Sequence, residues 1–137
     1  MLISILFTLA LLSASFAAVP EKCTWSECFN VIEELVSFQD AQRVCAAAGK
    51  GALAKIPDSR VNNYLANHFQ ASNVNVTTGL WIDVSANDAY TNFADDDISG
   101  NIHSDGVVMD PSQSFQWVVA PENDQFYTLC AKDLIYG

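Results

Sequence analysis

The sequence predicts an α+β fold with two helices early in the chain and a mostly antiparallel sheet built largely from its second half. Two amphipathic stretches with capping residues lie between Ser37 and Gln70. The apolar runs after Gly79 are short and bounded by turn residues, as strands are. Helices and strands do not alternate regularly, which argues against a parallel α/β sheet.

The first stretch, "MLISILFTLALLSASFA", has an uncharged run from Leu2 to Leu12, then small residues. Ser15 and Ala17 sit at −3 and −1 of a cut after Ala17, the small-x-small pattern of a secretory signal peptide. The run lacks a basic flank, and an uncleaved anchor is the rival reading. It is short for a membrane span, and no second stretch approaches that length. Residues 1–17 are therefore expected to be a signal peptide, leaving residues 18–137 as one secreted domain with no membrane span.

The formal charge is −10, and none of it falls in the leader. Such a surface lacks the cations that displace counterions from phosphates, so nucleic acid is excluded as a partner. It also disfavours anionic membranes. A solvated exterior alone accounts for the charge.

"FNVIEELV" has strand-like residues interrupted by Glu33-Glu34. In "SFQDAQRVCAAAGKG", Ser37 can cap a helix and Asp40 suits both a capping box and the helix dipole. Phe38, Ala41, Cys45 and Ala48 recur along one narrow face, and Gly49 and Gly51 end the helix. "ALAKI" reads as a short strand stopped by Pro57. Asp58 or Ser59 then caps a second helix with Val61, Tyr64, Leu65 and Phe69 as its apolar stripe. His68 lies beside that stripe and is assigned no chemistry.

Asn75-Val76-Thr77 is a glycosylation acceptor in a polar loop. "LWIDV" (80–84) is an apolar strand, followed by about twenty aperiodic residues. A hairpin comes next, its runs Val107–Met109 and Phe115–Val119 separated by Asp-Pro-Ser-Gln-Ser. "FYTLCAK" closes the chain as a last strand.

The four cysteines are Cys23, Cys28, Cys45 and Cys130. An even number in a secreted chain implies two disulfides, with three possible connectivities. Zinc is the rival, but there is no Cys-x-x-Cys pair, and neither His68 nor His103 has a recognisable spacing to the thiols.

The order of these pieces resembles a C-type lectin-like domain from Cys23 to Lys132. "SFQDAQRVCAAAGKGALAKIPDSRVNNYL" is similar to the family's first-helix cysteine, glycine-rich turn, short strand and second helix. "LWIDV" is similar to its Trp-Ile-Gly-Leu core strand, with Asp83 in place of the glycine. "QWVVAPENDQFYTLCAKD" resembles its terminal region. The resemblance implies the pairs Cys45–Cys130 and Cys23–Cys28. It also implies a departure: the family's second core disulfide falls on Gly106 and Glu122, so packing of Val107, Met109, Phe115 and Trp117 alone must hold the hairpin.

Sugar-binding members hold calcium through a Glu-Pro-Asn or Gln-Pro-Asp triplet in the long loop and an Asn-Asp pair after the hairpin tryptophan. Here the triplet maps loosely to Asp97-Ile98-Ser99, and the pair to Val118-Val119. Calcium takes six to eight oxygen ligands, and valine has none. The usual calcium-dependent sugar site is therefore read as absent, and no cofactor is expected. Asp95, Asp96, Asp97, Asp105 and Asp110 leave a displaced site conceivable, with Asp95, Asp97 and Asp110 its weak metal candidates. A solvated acidic loop is the favoured reading.

The resemblance implies a secreted, monomeric carbohydrate-binding protein that works without calcium. Its ligand candidates are Tyr90, Asn92, Asp95, Asp96, Asp97 and Trp117, although Phe93 and Trp117 occupy positions that pack beneath the loops in the family. The alternative is a protein-binding or structural module on the same scaffold, so the partner is a glycan or an extracellular protein. An enzyme is not expected. No Ser-His-Asp order, His-Glu-x-x-His or glycine-rich phosphate loop is found, and carboxylate-pair chemistry remains only formally open.

Overall fold

The computed structural model describes residues 19–71, 74, 76–85, 87–94 and 106–134. The expected leader, Asn75, and Asp95, Asp96, Asp97 and Asp105 lie outside the described residues. In chain order the elements are β1 (Lys22–Cys23), β2 (Glu27–Val36), α1 (Phe38–Ala47), β3 (Ala52–Leu53), α2 (Ser59–Gln70), β4 (Leu80–Ile82), β5 (Gly106–Asp110), β6 (Gln116–Ala120) and β7 (Phe126–Asp133). A short 3₁₀ turn, Pro111–Gln113, joins β5 to β6.

The strands form one sheet in the order β1-β2-β7-β4-β5-β6, with β3 also paired to β7. Every pairing is antiparallel except β4 with β7. This is the α+β architecture read from the sequence. β7 is central, and its Thr128, Leu129 and Cys130 are buried.

Strand periodicity sends neighbouring side chains to opposite faces. On β4, Leu80 and Ile82 join a core with Leu65 and Phe69 of α2, whereas Trp81 joins a second core with Ala41 of α1. β5 divides the same way, with Val107 and Met109 on the α2 side and Val108 on the α1 side. Both faces are covered here, so "LWI" and "VVM" are continuous apolar runs rather than alternating ones.

Ser37 caps α1, its hydroxyl accepting from the Asp40 N–H at 3.5 Å. Ala41 and Cys45 are buried on that helix. Ala48, expected on the same face, is exposed instead, because the helix stops at Ala47 and the chain turns through Gly49 with φ +70°. Gly51 has φ +89°, and a Cβ there would strike the Ala131 carbonyl, so only glycine lets this turn pass so close to β7. Asp58 is the α2 cap, accepting from the Val61 N–H at 3.0 Å.

β3 is shorter than the predicted strand. At Ala54 the ladder divides: its N–H still donates to Leu129 O of β7, but its carbonyl turns away and accepts from Asp83 N–H. Tyr64, expected on the buried stripe of α2, is partly exposed, and Asn62 is buried instead.

Disulfides join Cys45 to Cys130 and Cys23 to Cys28, as the resemblance implies. At the position of the absent third bridge, Gly106 faces two rings. A Cβ there would collide with Trp81 and lie 2.8 Å from Phe38. Packing is not the only restraint on the hairpin, because the Phe38 N–H also donates to the Glu122 carbonyl at 3.0 Å. An aromatic contact and a main-chain bond therefore occupy the place of the missing cystine.

Candidate functional site

The region where the resemblance places recognition is built on β6 and the loop segment packed beside it. Trp117 projects from β6 into the α2 core with 1% of its surface exposed. Its indole N–H donates to Asn62 Oδ1 at 2.9 Å. The rings of Tyr90 and Phe93 meet it edge-on, with centroids 5.5 and 5.8 Å away. Both backbone groups of Trp117 are engaged by this segment, the N–H donating to Asn92 O and the carbonyl accepting from Ala94 N–H, both at 2.9 Å.

These contacts correct the role considered for Trp117. A ring this buried has no face free for a sugar, so it is a core residue that supports the loop. Tyr90 and Asn92 are half-buried beside it, and the Asn92 carbonyl is used by Trp117. Burial and the nearby Asp58 push the Tyr90 hydroxyl above its ordinary pKa, keeping it a neutral donor.

Val118 and Val119 follow on the same strand. Val118 packs against the α1 core and Val119 against the α2 core. Each is thus engaged in packing at a position where the family's sugar-binding members present an oxygen ligand. Asp110 is occupied as well: its Oδ1 accepts from the Ser112 N–H at 2.9 Å and the Ser112 hydroxyl at 2.7 Å, capping the hairpin turn. Asp95, Asp96 and Asp97 fall outside the described residues.

One cation does sit among oxygens at the start of the loop, and it is a side chain. Lys55 Nζ lies 3.0 and 2.9 Å from the two Asp88 carboxylate oxygens, 3.5 Å from Asp83 O and 4.0 Å from Asp83 Oδ2. Asp88 Oδ2 also accepts from the Ser85 N–H at 2.8 Å. Burial pushes the Asp88 carboxyl up, but the Ser85 bond and the Lys55 ammonium outweigh it and hold the group below the ordinary aspartate range. Charge pairing with a lysine thus ties the loop to the scaffold.

Sequence reasoning missed this link, whose partners are 33 positions apart. It also missed Asn62, although a signal existed. Asn62 lies four residues after the Asp58 cap and three before Leu65, on the stripe that faces the core.

The family model described as the lectin C-type domain matches residues 34–132. The chain belongs to the C-type lectin domain family. C-type lectin-like domains bind glycans or proteins, and their fold is typically non-enzymatic. No curated protein matches the chain, but many solved structures do. Human lithostathine is similar with a TM-score of 0.67 and 16% identity, over 87% of this chain and 92% of that one. A calcium-independent type II antifreeze protein gives 0.66 and 19%, over 88% and 96% of the two chains. The cow CD23 carbohydrate-recognition domain, solved with a GlcNAc2Man3 oligosaccharide, gives 0.66 and 15%, over 88% and 98%. At these identities the likeness to this lectin-like chain is one of fold. No helix among the described residues is long and apolar enough to cross a membrane.

Proposed function

We propose that this C-type lectin-like domain is a secreted carbohydrate-binding protein that works without calcium at the family's usual position. The observation that carries the reading is the commitment of Val118 and Val119 to the two cores, where ligand oxygens would be needed. The similarity to a calcium-independent antifreeze structure supports a member of this fold working without that ion. In this reading residues 1–17 direct export and are removed, residues 18–137 act as a non-catalytic monomer, and Asn75 carries a glycan. Tyr90, Asn92 and the acidic residues 95–97 border the recognition surface.

Protein recognition is the second reading. It is favoured by the half-buried apolar Val118 beside β5 at the sheet margin, a surface suited to another protein. Calorimetry with calcium tests the central claim. No calcium isotherm is expected, and one that disappears in Asp97→Ala overturns it. A glycan array read with and without chelator then separates sugar from protein recognition.

A further inference from the structure

Among the described residues, the most exposed aromatic side chain lies elsewhere. Trp25 is 88% exposed, in contrast to Trp81 and Trp117, which are fully buried. It sits at the tip of the β1–β2 hairpin, inside the loop closed by Cys23–Cys28. That loop is ordered from within. Thr24 N–H donates to Glu27 O at 2.8 Å, and the Thr24 hydroxyl accepts from the N–H groups of Ser26 and Glu27 at 3.3 and 3.2 Å. A large apolar side chain is thus presented to solvent on a pre-ordered support.

Beside it runs a cleft of about 630 Å³ between the hairpin and the start of α2. Tyr64 lies along this cleft, 39% exposed, its hydroxyl donating to Cys23 O at 2.8 Å. Lys22 Nζ sits 4.9 Å from the Tyr64 ring centroid. Glu27, Asp58 and Arg60 supply the charged lining, with the Arg60 guanidinium 3.9 Å from Asp58 Oδ2. The cleft shares no lining residue with the β6 region.

We propose that this cleft binds a neutral saccharide, stacked on Trp25 and hydrogen-bonded by Glu27, Asp58 and Arg60. The inference rests on the sugar-binding reading above and adds to it a second recognition surface, on the hairpin. A pyranose has a face of C–H groups and a rim of hydroxyls. The first suits a flat indole, and the second suits carboxylate acceptors beside a guanidinium donor. Ordering the loop backbone that carries the indole removes part of the cost that a mobile loop would incur on binding.

The lining carries both signs of charge, and the chain as a whole carries −10, which disfavours sulfated or sialylated glycans. The Glu27 carboxyl is pushed above its ordinary pKa, first by burial and then by Asp133, its partner across the β2–β7 ladder. A purely apolar groove would fit an amphipathic peptide better. This one is a plane ringed by polar groups.

The test compares the full-length wild type with Trp25→Ala and Trp25→Tyr on an array of neutral, sulfated and sialylated oligosaccharides in EDTA. We expect neutral glycans to bind the wild type, Trp25→Ala to weaken binding by about tenfold or more, and Trp25→Tyr to stay within about threefold. Collisional quenching gives a second readout, because only Trp25 among the three tryptophans is open to solvent. The neutral glycan should shield it from acrylamide. If Trp25→Ala binds like the wild type, the cleft is wrong while sugar binding stands. Binding only to anionic glycans overturns the ligand class. A wild type silent on the whole array overturns both this inference and the sugar-binding reading beneath it.

Discussion

The indole N–H of Trp117 and the amide oxygen of Asn62, 55 positions apart, meet at 2.9 Å inside the core. This bond fixes α2 against β6 and lets a large polar-edged ring be buried without an orphaned donor. Around it pack Tyr90 and Phe93, so one tryptophan organises the helix, the edge strand and the loop.

Asn62→Leu keeps the branched shape but removes the acceptor, leaving a buried N–H unpaired. We expect a loss of about 1–3 kcal/mol in urea unfolding. Near-infrared or infrared detection of a free indole N–H would accompany it. An unchanged midpoint would mean that the bond contributes nothing to stability.

Gly106 makes the second prediction. Trp81 and Phe38 occupy the space a side chain would need, so Gly106→Ala should destabilise by about 1–3 kcal/mol through overpacking. Restoring the family cysteines with Gly106→Cys and Glu122→Cys should lower the thermal midpoint under oxidising conditions. A higher midpoint for the oxidised double variant would show that the aromatic contact yields readily.

Two carboxylates make opposite pH predictions. Asp88 is held below its ordinary range, so its pairing with Lys55 stabilises the fold fully above the ordinary aspartate value and fades as pH falls through the depressed one. Lys55→Met should therefore cost about 0.5–1 kcal/mol at neutral pH and nothing in strong acid. Glu27 is raised, first by its burial and then by Asp133, so its penalty is absent below the ordinary glutamate value and grows as pH rises through the raised one. Glu27→Gln should stabilise at neutral pH and be silent in acid. Thermal melts of both variants across pH decide the signs.

The two disulfides should differ in weight. Cys45 and Cys130 are 85 positions apart and Cys23 and Cys28 only 5. In the chain-entropy picture their removal costs about 4–5 and about 2 kcal/mol respectively. Paired alanine variants in denaturant titrations measure this. Equal losses would point to contacts of the short bridge rather than loop closure.

Much of the scaffold was legible because its signals are local. Ser37 and Asp58 mark helix starts through their own side chains, and the apolar runs of β4 and β5 announce strands buried on both faces. Ala48 was misplaced because a helical repeat continues in sequence past the point where Gly49 turns the backbone. The cysteine pairing was legible only through resemblance, since spacing alone leaves three connectivities. Asn62, Lys55 and Trp25 were missed for another reason. Asn62 and Lys55 depend on partners brought together by the fold, and the exposure of Trp25 on how a six-residue loop projects, and a linear sequence records neither.

Residues 92–94 lie along the outer margin of β6, gripping Trp117 through two main-chain bonds. A bare strand margin invites a foreign chain to add itself, the first step toward aggregation. The same loop that recognition would diversify is therefore also a guard against polymerisation. Variation in this lineage should be tolerated beyond Ala94 yet resisted at Asn92–Ala94, where a proline would unlatch the guard.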